Sequence, residues 1–247
     1  MKKLLGVGIC WLMITGSARA QDFITRGKIE FEIKKNNRRA YSDADRANNS
    51  WLASLPEFDI YYRELVFSSN HLWYGGARKG TPTSRFLDNV LYTDLDAKKI
   101  IAKQNYINDD YIIEDSVRPV KWKIENEIRK IAGFECRKAV GRFHDSIYVV
   151  AFYCPEIIPQ GGPEFFSGLP GMILGLAIPR YNTTWFATRI ELASIDESKI
   201  APPAVKKSKT YNKKELADIL YIKYKEAGWW KNVTTEKVLA NLSEYTF

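Results

Sequence analysis

The residues able to do chemistry are few, and their scarcity excludes several reaction classes. The chain has two histidines, His71 and His144, and three cysteines, Cys10, Cys136 and Cys154. A zinc centre takes three or four His, Cys or carboxylate ligands at short spacings, and this stock supplies no His-rich or Cys/His set. No metal and no cofactor is expected. The chain also lacks a G-x-S-x-G nucleophile turn, an H-E-x-x-H helix and a phosphate-cradling Gly-Lys-Ser/Thr loop. Gly161-Gly162 does not stand between a strand and a helix, so it is no nucleotide fingerprint. Carboxylates come in pairs at Asp109/Asp110 and Glu125/Glu127. Acidic residues in polar turns and on strand faces are usually solvated, and a hydrolytic pair would have to converge from distant positions. His71, beside Trp73 and Tyr74, reads as a strand residue rather than a base.

The cysteines offer the most specific geometry. Phe134–Phe143 and Ile147–Cys154 flank His144-Asp145-Ser146 as two strands of a hairpin. With those three residues as the loop, Phe143 faces Ile147. The same register carried outward brings Cys136 opposite Cys154. A non-hydrogen-bonded antiparallel pair holds its Cα atoms roughly 4.5 Å apart, within the range of about 4.4–6.8 Å that a disulfide accepts. A Cys136–Cys154 cross-strand disulfide is expected, against two reduced buried thiols as the alternative.

These groups need a scaffold, and alternation predicts a β-rich one. Over Arg26 to Ile33, residues Ile29, Phe31 and Ile33 face one way and Lys28, Glu30 and Glu32 the other. Lys34–Leu55 reads as a polar loop with one helical turn near Ala44–Ala53. Strands follow at Phe58–Ser68, Asn70–Tyr74, Asn89–Asp94, Lys99–Tyr106, Tyr111–Asp115 and Lys121–Glu125, spaced as an antiparallel meander. Thr183–Leu192 alternates again. A basic linker spans Asp196–Thr210. A helix is expected from 212 to 228, with Asn212 and Glu215 as a capping box, Leu216, Ile219, Leu220 and Tyr224 as its apolar stripe and Gly228 as its stop. Trp229 and Trp230 would tuck its end onto the sheet, and Val233–Phe247 could add a short helix.

The irregular stretch is Pro155 to Gly171, 17 residues with neither period. Loops longer than about 12–15 residues without regular structure are usually functional or disordered. Disorder fits badly with Ile157, Ile158, Phe165, Phe166 and Leu169. The loop either plugs the scaffold or turns Ile157, Ile158, Pro163, Phe165, Phe166, Gly168, Leu169, Pro170 and Gly171 toward a ligand or partner. Leu169-Pro170-Gly171-Met172 reads as a type II turn with φ > 0 at Gly171. Met172–Ile178 then forms a buried strand, with Gly175 marking a bulge or a close backbone approach.

Lys2-Lys3, an apolar Leu4–Ile14 of 11 residues and Ala18-Arg19-Ala20 have the layout of a signal peptide over residues 1–20, leaving one β-rich domain at 21–247. Removing Lys2, Lys3 and Arg19 lowers the net charge from +8 to +5. Apart from Lys206, Lys207 and Lys209 in the linker there is no dense basic block, so nucleic acid is not an expected partner. No later run is long enough to cross a bilayer as a helix, which takes about 20 residues. An exported, periplasmic protein is expected.

Gly168-Leu169-Pro170-Gly171-Met172-Ile173, Ile131 through Ala139, Gly141-Arg142, Tyr153, Pro155-Glu156-Ile157 and Gly162-Pro163-Glu164-Phe165 together resemble the GLPGLI family of exported bacterial envelope proteins. The likeness covers about residues 131–178. Met172 replaces a Leu, Phe152 a Trp and Cys154 a Thr, so the disulfide would be particular to this chain or a subset. The resemblance implies a β-rich envelope protein working beside an outer-membrane receptor or another envelope protein, and supplies no catalytic residues. The expected fold is mainly β, an antiparallel curved sheet or half-barrel with a C-terminal helix packed on it. Three functions stay open: a non-catalytic binding or accessory protein for an outer-membrane protein or apolar ligand, a carboxylate-dependent hydrolase, and a structural envelope protein.

Overall fold

The computed structural model describes residues 23–245 apart from 77–88, 118–119, 144–145, 193–194, 205–208 and 229–232. The expected signal peptide at residues 1–20, His144-Asp145, Lys206-Lys207 and Trp229-Trp230 therefore lie outside the described residues. One twelve-stranded open sheet organises the chain. β1 (Arg26–Asn36) stands in its middle. On one side run β2 (Phe58–Ser68), β3 (His71–Gly75), β4 (Val90–Asp94), β5 (Lys99–Tyr106) and β6 (Asp109–Ser116), each antiparallel to the last. The other half is a second meander: β7 (Lys123–Ile131), β8 (Phe134–Phe143), β9 (Ile147–Cys154), β10 (Met172–Ile178) and β11 (Thr183–Glu191). β11 returns to pair with β1, which joins the halves. Hairpin-linked neighbours of this kind follow directly from short turns between alternating strands.

β1 shows why the pattern works. Ile29, Phe31 and Ile33 are fully buried on one face while Glu30, Glu32 and Lys34 are half-buried on the other. β10 has the continuous apolar character of a strand covered on both faces, as its sequence foretold. Both readings of Gly175 hold. The register against β9 shifts between Ile173 and Gly175, and a Cβ there would stand 2.8 Å from Phe186 Cε1 and 2.9 Å from Ile131 Cδ1.

Three differences from the sequence reading stand out. The polar stretch after β1 makes three short helices, α1 (Asn37–Ala40), α2 (Asp43–Asn48) and α3 (Ser50–Ser54), started by the side chains of Asn36, Ser42 and Asn49. β7 continues to Ile131, although its exposed side chains hide it from a search for alternating burial. β12 (Thr210–Tyr211), two residues in the expected linker, pairs in parallel with β6.

The C-terminal helix is α4 (Lys213–Glu226), and α5 (Thr235–Tyr245) follows it. Leu216, Ala217 and Leu220 of α4 meet Ala102, Tyr111 and Ile113 of the sheet and Val238 and Leu242 of α5 in a second, smaller core. The capping box is formed: the Glu215 N–H donates to Asn212 Oδ1 at 2.9 Å, and the Asn212 N–H to Glu215 Oε2 at 3.0 Å. Asn212→Ala is expected to lower stability by about 1 kcal/mol, read as a shift of the urea midpoint at unchanged slope. Among the described residues no helix is long and apolar enough to cross a membrane.

Candidate functional site

The stretch Pro155–Gly171 lies docked against the sheet. Its backbone is tied at both ends. The Ile24 N–H donates to the Glu156 carbonyl and the Ile158 N–H to the Ile24 carbonyl, each at 2.9 Å. The Met172 N–H reaches the Ile157 carbonyl at 2.9 Å and the Ile173 N–H the Gly161 carbonyl at 2.8 Å. Phe165 and Phe166 lie tilted against each other with ring centres 4.3 Å apart, and both pack edge-on against Phe143. The Trp122 indole N–H donates to the Ser167 carbonyl at 2.8 Å from outside the loop.

Of the nine loop residues that could have faced a ligand or partner, Ile157, Pro163, Phe165, Phe166, Leu169 and Gly171 are buried. Ile158, Gly168 and Pro170 alone reach solvent. The oily side chains complete the core, the plug alternative of the sequence reading. The reason is area: large apolar side chains gain about 1.5–3 kcal/mol each on burial, and the sheet offers a face to receive them.

The turn at the end of the loop also differs in type. The Gly171 N–H donates to the Leu169 carbonyl at 2.8 Å, an i→i+2 bond around Pro170 in place of a type II turn. The N–H of Met172, which a type II turn would use, is taken by Ile157. Gly171 has φ +141°, so the expected positive φ is present.

At the heart of the plug is a residue that sequence reasoning passed over. Glu164 is the one charged residue between Glu156 and Arg180. It is 6% exposed, and its backbone has φ +56°, a left-handed conformation uncommon for a side-chain-bearing residue. Its carboxylate accepts from the Trp185 indole N–H at 3.2 Å. Arg63, 3% exposed on the inward face of β2 between Tyr61 and Leu65, acts on it through space. The Arg63 guanidinium donates to the Asn89 carbonyl and lies over the Tyr74 ring at 4.6 Å from its centre. The Tyr74 hydroxyl is buried close to the Glu164 carboxylate, outside good hydrogen-bond alignment. Burial raises the Glu164 pKa above its usual value; Arg63, the Trp185 indole and Tyr74 pull the other way without cancelling it. Burial and the Glu164 charge likewise push the Tyr61 and Tyr74 hydroxyls up.

Chemically, this is a lone buried carboxylate held among donors. Glu164 is the only buried acid among the described residues, so no carboxylate pair meets under the loop. The surface pairs serve elsewhere. Asp109 holds Lys223, Asp110 holds Lys103 at 2.9 Å, and Glu125 and Glu127 share Lys138 at 3.2 and 2.8 Å. His71 sits 3.5 Å from Asp94 and stacks on Tyr92 at the surface. Two signals in the sequence could have found the cluster: a carboxylate isolated in an uncharged run, and an arginine in phase with the apolar positions of β2.

The cysteines require a correction. β8 and β9 pair as expected from Phe143↔Ile147 out to Arg137↔Tyr153, one step short of Cys136 and Cys154. The two sulfurs are nevertheless free thiols, both fully buried, and the Cys136 thiol donates to the Phe134 carbonyl at 3.7 Å. Register brings two cysteines together; forming the bond also takes an oxidant.

No family model matches the chain, and no curated protein matches it. One solved structure shares its fold at a distance, and two more align less closely. PNGF-II in space group P21 is 12% identical, with a TM-score of 0.53 over 80% of this chain and 33% of its own. The same protein in space group C2 gives 13% identity and a TM-score of 0.49 over 76% and 30%. An uncharacterised conserved protein from Thermus thermophilus gives 8% and 0.42 over 78% and 93%. The chain thus spans about a third of the length of PNGF-II, and at 12% identity the likeness to its P21 structure is one of fold alone.

Proposed function

We propose that this chain is a non-catalytic binding or accessory protein of the cell envelope, exported and of the GLPGLI type, that works with an outer-membrane receptor or another envelope protein. The observation that carries this reading is the docked loop. Its motif residues are spent on holding a plug, and the lone Glu164 has no second buried acid to work with among the described residues. The carboxylate-dependent hydrolase therefore has no structural support. Contact would fall to what remains outside: Ile158, Gly168 and Pro170 on the outer side of the plug, and Ile124 and Ile128, 43% and 61% exposed on the sheet-edge strand β7. A sheet edge and scattered apolar side chains suit a protein partner better than a small apolar ligand. The filled inner face also suits the purely structural alternative.

Gentle cross-linking in cells, followed by capture of the tagged protein from the envelope fraction, separates the two. A reproducible envelope partner, lost when Ile128 or Ile158 is changed to Lys, supports the accessory role. Recovery of the protein alone sinks it and leaves the structural reading.

A further inference from the structure

The outer face of β2 to β5, turned away from α4, carries a row of rings that the plug and the helices do not use. Strand register sets it out. Leu65, Tyr74, Leu91 and Ala102 pair across the four strands on the inner side. Their neighbours Val66, Trp73, Tyr92 and Ile101 pair across the same strands on the outer side. Val66 is 3% exposed yet belongs to neither hydrophobic core, so its cover comes from outer-face side chains. Trp73 and Tyr92 are half-buried. Two glycines let the indole lie along its own strand: a Cβ at Gly75 would stand 3.1 Å from Trp73 Cη2 and Cζ2, and one at Gly76 3.6 Å from Cη2. A ring lying along a strand turns one face to the sheet and the other outward. Tyr92 stands directly across from Trp73 and stacks with His71, ring centres 6.2 Å and planes 22° apart.

The charges around this row are matched. Lys28 lies 3.6 Å from Glu64 and 3.3 Å from Glu191, Lys99 2.8 Å from Glu114, and His71 3.5 Å from Asp94. A matched rim offers hydrogen bonds without a net field. It therefore does not suit a phosphate backbone, which draws on unspent cations beside the rings. A flat patch of rings with such a rim fits a ligand that is apolar on its broad face and hydroxylated at its edge. Glucose-type pyranoses in β-linkage have that shape, because their ring substituents are equatorial and their C–H bonds axial. We infer that the outer row centred on Trp73 and Tyr92, with His71 and Asp94 at its edge, is a binding platform for β-linked glucose-type glycans. The two large rings take the axial C–H faces of the sugars. The His71–Asp94 pair, side chains 45% and 23% exposed, and Glu64 on the far side of Trp73 supply donors and acceptors for the rim hydroxyls. This surface is separate from the plug and from β7, so the inference does not rest on the accessory role.

Calorimetric titration of the full chain with cellotetraose and with chitotetraose tests it. The wild-type protein is expected to give saturable binding to at least one of the two. Trp73→Leu and Tyr92→Leu keep apolar bulk over Val66 but remove a ring, and each should weaken binding at least about tenfold. Trp51→Ala removes an indole that is 60% exposed on α3, away from the row, and should leave affinity unchanged, which separates the platform from chance stacking on any surface indole. Wild-type protein that binds neither tetrasaccharide overturns the inference. So does binding that survives both leucine substitutions, or oligothymidylate binding as tightly as the better glycan, which would make the rings a platform for nucleobases. If the leucine variants fail to fold, amide shift mapping of the wild-type titration decides alone: shifts confined to elements other than β3 and β4 overturn the assignment.

Discussion

Gly171→Ala is expected to cost about 4 kcal/mol, enough to take a domain of ordinary stability close to unfolding. The reason is backbone against backbone. A Cβ at this position would overlap the Cys154 carbonyl oxygen, with the carbonyl carbon at 2.7 Å and Pro155 Cα at 2.8 Å. No side chain can rotate away to make room, and φ is +141° besides. Relief would mean moving β9 or lifting the turn, with the loss of the Met172–Ile157 bond. Gly168 is the control. It too has positive φ, +88°, but is exposed, and a Cβ there would meet nothing closer than Trp122 Nε1 at 4.0 Å. Gly168→Ala should cost about 1 kcal/mol from backbone strain alone. Denaturant midpoints of the two variants check the contrast, and equal losses would mean that the seat of the turn is softer than argued.

Arg63→Met should show the second large effect, and its size should depend on pH. The substitution keeps volume on the inward face but removes the one cation acting on Glu164. The folded carboxyl already titrates above its usual 4.5. This group's contribution to stability is therefore fully present below pH 4.5 and is lost as pH rises through the folded pKa. Without Arg63 the folded pKa moves further up, so the loss continues to higher pH. At about pH 7 the variant is expected to be about 2 kcal/mol less stable than wild type, and at about pH 4 the gap should shrink below about 1 kcal/mol. Arg63→Met with Glu164→Gln should recover most of the loss at neutral pH, since a neutral amide needs no counter-charge and can still accept from the Trp185 indole. A deficit that stays constant from acid to neutral pH would instead assign Arg63's role to its contacts with Tyr74 and the Asn89 carbonyl.

Both effects arise where the loop meets the sheet, and that meeting was only half legible from the residues. Alternation in β1 and β11, the helix cap at Asn212, and the hairpin register that aligns the cysteines are local properties, set by side-chain period and turn length. They were read nearly to the residue. β12 escaped because two residues carry no period, and the outer half of β7 because its side chains face water on both sides. The type of turn at Pro170 escaped for another reason. Proline and glycine allow several turns, and which one forms depended on Met172 finding Ile157 as a partner. Nothing in Leu169–Met172 itself records that bond.

The order of residues alone determined a mainly antiparallel β protein with a C-terminal helix, an apolar loop too greasy for solvent and a chain too poor in histidine for the common metal and nucleophile sets. Tertiary structure decided which way that loop faces, and that Arg63 and Glu164, 101 positions apart, share one buried environment. Burial and electrostatics depend on what arrives from elsewhere in the chain, and local pattern carries no term for that.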